Sequence, residues 1–123
     1  MERKWLAFAG FHGFCAVAMG AFAAHALKAS LDPEALGWIE TGARYQMFHA
    51  LALLGLAALG PKVTPKKQAI SGWGFGLGAL IFSGSLYLMA FTGIRMLGAV
   101  TPLGGLLLLM AWLNLLIFSL KSL

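Results

Sequence analysis

The sequence predicts an all-α fold, an integral membrane four-helix bundle with antiparallel neighbouring helices, and three observations point there. Of the 123 residues, 60% are hydrophobic and only 11% are charged, against about 45–50% and about 25% in ordinary soluble domains. The mean hydropathy is +0.84, so a chain of this composition cannot cover its apolar surface in water. The apolar residues also fall in runs long enough to cross a hydrocarbon core of about 30 Å, which takes about 20 helical residues at about 1.5 Å each.

The expected spans are approximately 5–27, 38–59, 69–93 and 97–120, within a single domain of residues 1–123. Trp5 to Leu27, Ala69 to Ile94 and Met96 to Leu120 contain no Asp, Glu, Lys or Arg. Arg95 separates the last two, with Gly93 and Gly98 placed for a tight helical hairpin. The second span is weaker, because Tyr45 to Leu59 is short unless the helix runs back through Arg44 and Glu40 toward Gly37. Glu40 and Arg44 are spaced i, i+4 and can pair on one helix face near the membrane surface. Before them, Ser30 or Asp32 reads as an N-cap with Pro33 and Glu34 in the first turn, giving a short surface helix or an early start to the second span. Gly60, Pro61 and Pro65 end that span, and Lys62, Lys66 and Lys67 form its polar exit.

Glu2, Arg3 and Lys4 ahead of an apolar run that ends in two Ala-x-Ala patterns also resemble a signal peptide. The run is long for that purpose, and a retained span is the expectation. The basic balance, with a pI near 9.8, does not imply a nucleic acid partner, because Lys and Arg sit in short clusters between apolar runs. In a membrane protein such clusters report orientation. With four spans, one side holds Arg3, Lys4, Lys62, Lys66, Lys67 and Lys121, and the other holds Lys28, Arg44 and Arg95 together with Asp32, Glu34 and Glu40. Both termini are therefore expected in the cytoplasm, with the chain in the bacterial cytoplasmic (inner) membrane.

Membrane helices associate at small residues that allow close backbone approach. Ala9, Gly13, Ala16, Gly20, Ala23 and Ala24 fall on one face of the first helix at about 100° per residue. The third helix has two small faces, Gly72, Gly76, Ala79 and Ser83 on one side and Gly74, Gly78 and Ser85 nearly opposite. Such a helix is expected between two neighbours.

Polar residues inside a span need protein partners, because lipid supplies none. On the second helix Tyr45, Gln46 and His49 share a face, with His49 about 12 Å below Thr41. Tyr87 lies at similar depth on the third, so Tyr45, Gln46, His49 and Tyr87 are the expected polar cluster. His12 and Asn114, each about 9–10 Å from the other membrane surface, form a second candidate pair. His25 is read as an interfacial residue, and Arg44 and Arg95 as residues whose heads reach the interface. Trp5, Trp38 and Trp73 suit the aromatic belt, whereas Trp112 lies deeper.

The stretches Gly20-Ala-Phe-Ala-Ala-His25-Ala-Leu27, Thr41-Gly-Ala-Arg44-Tyr45-Gln46-Met-Phe-His49-Ala-Leu-Ala-Leu53, Gly84-Ser-Leu-Tyr87 and Thr101-Pro-Leu-Gly-Gly105 resemble the small bacterial membrane proteins of the YgdD type, a domain of unknown function (number 423) related to mitochondrial transmembrane protein 256. The resemblance covers nearly the whole chain, with Ala23 standing where that family has glycine. It implies a four-helix inner-membrane protein and brings no catalytic residue with it.

Three functions are open at this stage. The first is a non-enzymatic membrane protein that assembles with itself or another membrane protein. The second is an oligomeric transporter or channel subunit for a small solute or ion, with the cluster around His49 carrying protons, since imidazole titrates near neutrality. The third is an intramembrane enzyme or haem protein. It is disfavoured because His12 and His49 differ in depth and His25 faces away from His12. No catalytic residue, metal site or cofactor is expected: a phosphate loop, a zinc motif and a paired-cysteine motif are all missing from the sequence. Cys15, the single cysteine, reads as a small buried hydrophobe.

Overall fold

In a computed structural model the described residues, 3–121, form helices joined by short turns, with no strand among them. Glu2, part of the signal-peptide reading, lies outside the described residues. There are four long helices among the described residues: α1, Arg3–Ala26; α2, Pro33–Leu59; α3, Pro65–Thr92; and α4, Thr101–Lys121. Within α1 the segment Ala18–Ala23 winds as a π-helix, in which the Ala24 N–H reaches back to the Met19 carbonyl. Three helical stretches, Arg3–Ala26, Pro65–Thr92 and Arg95–Lys121, are long and apolar enough to cross a membrane.

The second span, α2, expected to be the weakest of the four, is not among these. With 27 residues it is long enough, but Arg44, Gln46 and His49 fall within its most apolar stretch. It begins earlier than Trp38, because Asp32 caps it by accepting from the Ala35 N–H at 2.8 Å, and Pro33 stands where no N–H is required. Thr64 caps α3 in the same way, and Gly93 ends α3 with φ of 73°, a left-handed conformation suited to glycine.

The third helix is the one on which the others meet. A Cβ at Gly72 would lie 2.5 Å from the Trp5 ring, and one at Gly76 would lie 2.8 Å from Phe8, so α1 lays two aromatic rings into that face. On the other face a Cβ at Gly74 would meet Ala111 at 2.8 Å, and one at Gly78 would meet Leu108 at 2.9 Å. The backbones of α3 and α4 approach most closely at Gly104, where a Cβ would stand 2.4 Å from the Phe82 nitrogen. The small face of α1 meets α2, with Gly13 opposite Ala50 and Gly20 opposite Ala43. Trp5, Phe75, Leu53, Ala79 and Ala111 form the main core, and a smaller cluster of Ala35, Ile39 and Ala90 closes the far end.

Gly104→Ala is therefore expected to lower stability by roughly 1–3 kcal/mol or more, because backbone atoms rather than a flexible side chain must yield. Gly84→Ala, whose Cβ would meet nothing within 4 Å, is the control and leaves stability unchanged or slightly raised. Thermal unfolding of both variants in one detergent measures the difference.

Candidate functional site

The buried polar side chains form a hydrogen-bonded chain across three helices. Tyr87 on α3 donates its hydroxyl to Gln46 Oε1 on α2 at 2.7 Å. Gln46 Nε2 meets His12 Nδ1 on α1 at 2.9 Å, and His12 Nε2 meets the Gly76 carbonyl on α3 at 2.9 Å. The directions follow from chemistry. A carbonyl can only accept, so His12 Nε2 carries the proton; an amide NH2 can only donate, so His12 Nδ1 accepts. The neutral ring thus uses both nitrogens, and the Gln46 oxygen is left to accept from Tyr87. His12 is 0% exposed and Gln46 3%.

His49 belongs to a separate pair. The Trp112 indole N–H on α4 donates to His49 Nε2 at 3.0 Å, and His49 Nδ1 donates to its own helix at the Tyr45 carbonyl, 2.7 Å away. Because indole can only donate, His49 is the opposite tautomer to His12. Its ring also lies 5.7 Å from Phe75 and 5.9 Å from Trp112, centroid to centroid.

A third group of bonds gathers near the start of α3. Trp5 donates to Gln68 at 3.2 Å, and Gln68 donates to the Gly60 carbonyl at 2.9 Å. Asn114 donates to Ser71 at 2.7 Å and to the Lys67 carbonyl at 2.8 Å, while Ser71 donates to the Ala111 carbonyl at 2.8 Å. Toward the other end, Ser83 donates to the Gly42 carbonyl at 2.7 Å, and Ser85 pairs with Thr101 at 2.5 Å. Among the described residues no buried side-chain nitrogen or oxygen is left without a partner.

The expected groupings are thereby redrawn. Gln46 and Tyr87 do meet, but His49 is not with them, because its position on α2 turns it toward α4. Tyr45 contributes its carbonyl, while its ring is 41% exposed and packs on Phe48 and Phe82. His12 and Asn114 do not pair: His12 faces α2 and α3, and Asn114 faces the first turns of α3. Glu40 and Arg44 are bonded at 3.2 Å with both side chains more than half exposed. Arg95 is ion-paired with Glu34 and lies 5.3 Å over the Trp38 ring. His25 is exposed in the last turn of α1.

The sequence alone does not single out Gln68 or Ser71 as bonding residues, and it offers Ser83 only as a small packing residue, Glu34 only as a first-turn acid, and Trp5 and Trp112 only as aromatic anchors or packing. Gln68 and Ser71 sit at i, i+3 in the first turns of an apolar helix, a spacing that places two polar groups on one inward face. That was the available signal. Among the described residues no group of three or more His, Cys, Asp or Glu could hold a metal ion.

With this geometry in view, comparison with known proteins decides the family. Residues 19–105 match the family described as "Protein of unknown function (DUF423)". The chain belongs to that family. It is 42% identical over 123 residues to the UPF0382 membrane protein of Haemophilus influenzae, covering 99% of this chain and 98% of the relative. It is 40% identical over 126 residues to the UPF0382 inner membrane protein YgdD of Escherichia coli K12, covering 98% and 92%. The UPF0382 membrane protein YwdK of Bacillus subtilis is 35% identical over 122 residues, covering 98% and 99%. No solved structure matches the chain. The matched region includes Gln46, His49 and Tyr87 and excludes His12, Trp112 and Asn114.

Gln46→Leu strands His12 Nδ1 and the Tyr87 hydroxyl together and is expected to cost about 1–3 kcal/mol. Tyr87→Phe alone is expected to cost less, near the average of about 0.6 kcal/mol for interhelical bonds in membranes. In the Gln46→Leu background Tyr87→Phe becomes neutral or stabilising, since the unpaired hydroxyl is removed. A double-mutant cycle on thermal unfolding in detergent reads the coupling.

Proposed function

We propose that this family member is a non-enzymatic protein of the inner membrane, an antiparallel bundle of four spans that acts by assembly with lipid and with other membrane helices. The observation that carries this reading is the closure of the polar interior. His12, Gln46, Tyr87, His49 and Trp112 satisfy one another or nearby carbonyls. Transport by His49 or axial ligation of haem would first break bonds that use both nitrogens of the ring.

Support for a spanning α2 comes from the direction of its polar groups. Twenty-seven residues make about 40 Å of helix, more than the hydrocarbon core requires. Gln46 and His49 are turned inward, whereas Phe48, Leu51 and Leu54 are exposed, so the surface offered to lipid is apolar. Of the polar groups that lower its hydropathy, Gln46 and His49 are thus hidden from lipid, and the exposed Arg44 head can reach the interface.

Charge supports cytoplasmic termini. At one end stand Arg3, Lys4, Lys62, Lys66, Lys67 and Lys121. At the other, Arg44 and Arg95 are balanced by Glu40 and Glu34 in direct ion pairs. The excess of Lys and Arg marks the cytoplasmic side.

Two outcomes are expected. In a Cys15→Ser background, Met96→Cys in intact cells reacts with an impermeant maleimide added outside, and Lys66→Cys reacts only after lysis; the reverse pattern would sink the orientation. Purified protein in liposomes moves no protons or monovalent cations above empty vesicles. A flux lost on His49→Phe would replace this reading with transport.

A further inference from the structure

A concavity along the bundle lies between α2 and α4, over Phe82 of α3. It is a groove of about 770 Å³, floored by Phe82 and walled by Tyr45 and Phe48 on one side and by Gly105, Leu109 and Trp112 on the other. It opens sideways, toward the surroundings of the helices. Two of its lining residues, Trp112 and His49, are hydrogen-bonded to each other, so the indole N–H and the His49 Nε2 are already engaged.

Its dimensions select among occupants. Along α4 the groove runs from Pro102 to Trp112, about 15 Å at 1.5 Å per residue. That is half of a hydrocarbon core of about 30 Å, the depth of one leaflet. An extended acyl chain of one leaflet matches that length.

The charge at its mouth fits a phosphate. Arg44 lies four residues before Phe48, one turn outward on the same stripe of α2. Its side chain is 53% exposed, and its bond to Glu40 uses a single nitrogen. A guanidinium has five N–H donors in a fixed fork, so most remain to engage an anion.

We propose that the groove is a phospholipid site: one acyl chain lies along α4 from Pro102 to Trp112, and the lipid phosphate pairs with Arg44. The proposal rests on the four-span reading above, which puts Arg44 at an interface and the groove in one leaflet.

The structure supplies a clean way to fill the groove. A Cβ at Gly105 would meet only Phe82, at an ordinary 3.9 Å, whereas its neighbour Gly104 carries the backbone contact with α3. Gly105→Phe therefore places a ring in the groove without prising the helices apart. Leu109→Trp, at a side chain 66% exposed, narrows it from a second position.

The test is native mass spectrometry of protein released from nanodiscs of phosphatidylethanolamine and phosphatidylglycerol, at an activation that strips bulk lipid. The wild type is expected to keep one phospholipid. Gly105→Phe and Leu109→Trp are expected to keep at least tenfold less, with unchanged helical circular dichroism, and Arg44→Gln also less. Equal retention by the wild type and both filled variants would overturn the proposal. So would a wild type without retained lipid, a retained molecule that is not a phospholipid, or a lipid-free dimer that Gly105→Phe splits into monomers. Failure of the four-span reading is visible separately, in maleimide labelling of Ser30→Cys in the turn before α2, which then reacts from the same side as Lys66→Cys, whatever lipid is retained.

Discussion

A side-chain amide buried among helices must find its partners in the protein. Gln46 meets this constraint by joining three helices at once: its oxygen takes the Tyr87 hydroxyl, and its nitrogen gives to His12, which gives in turn to the Gly76 carbonyl. The two ends of this chain both sit on α3, so the register of α1 and α2 is fixed against one helix. Each bond sets the direction of the next, and the tautomer of His12 is decided by a carbonyl one helix away.

Such a chain is possible only because the helices approach closely. Gly76 can present its carbonyl to His12 because it has no side chain, and the Phe8 ring occupies the space that a Cβ would need. The same economy appears at Gly42, where a Cβ would lie 2.8 Å from the Tyr87 ring and whose carbonyl accepts from Ser83. Small residues and polar residues thus act together: the first bring backbones within reach, and the second bond across the gap. The two histidines show how local this is. They differ in tautomer because one faces a carbonyl and an amide, while the other faces an indole and its own helix.

The two ends of the protein are built differently. Near the start of α3, Gln68, Ser71 and Asn114 tie α1, the α2–α3 turn and α4 together with neutral groups, beside a cluster of lysines. At the opposite end, beyond the neutral Ser83–Gly42 and Ser85–Thr101 bonds, the exposed groups are ion-paired, Arg95 with Glu34 across elements and Arg44 with Glu40 within α2. Exposed pairs of this kind contribute little stability, about 0–1 kcal/mol. Their consequence is electrostatic, since they cancel the cations of that end and leave the net positive charge at the other.

Local information in the sequence was enough for the all-helical, membrane-embedded class: run length and the near absence of charge report on the solvent that each segment must meet. The cap at Asp32 and the two glycine faces of α3 could be read for the same reason, being properties of residues within a few positions of one another. The family was legible in the stretch from Thr41 to Leu53. Which neighbour fills each glycine face, and which polar groups meet, was decided by the tertiary structure. His49 shares a helix face with Gln46, yet it sits about 60° around the helix from it, and the packing of α4 gives it Trp112 rather than α1. His12 and Asn114 have similar depths, but depth does not fix which way a side chain faces. Helical periodicity gives direction about one axis, and only the packing of four such axes gives the partner.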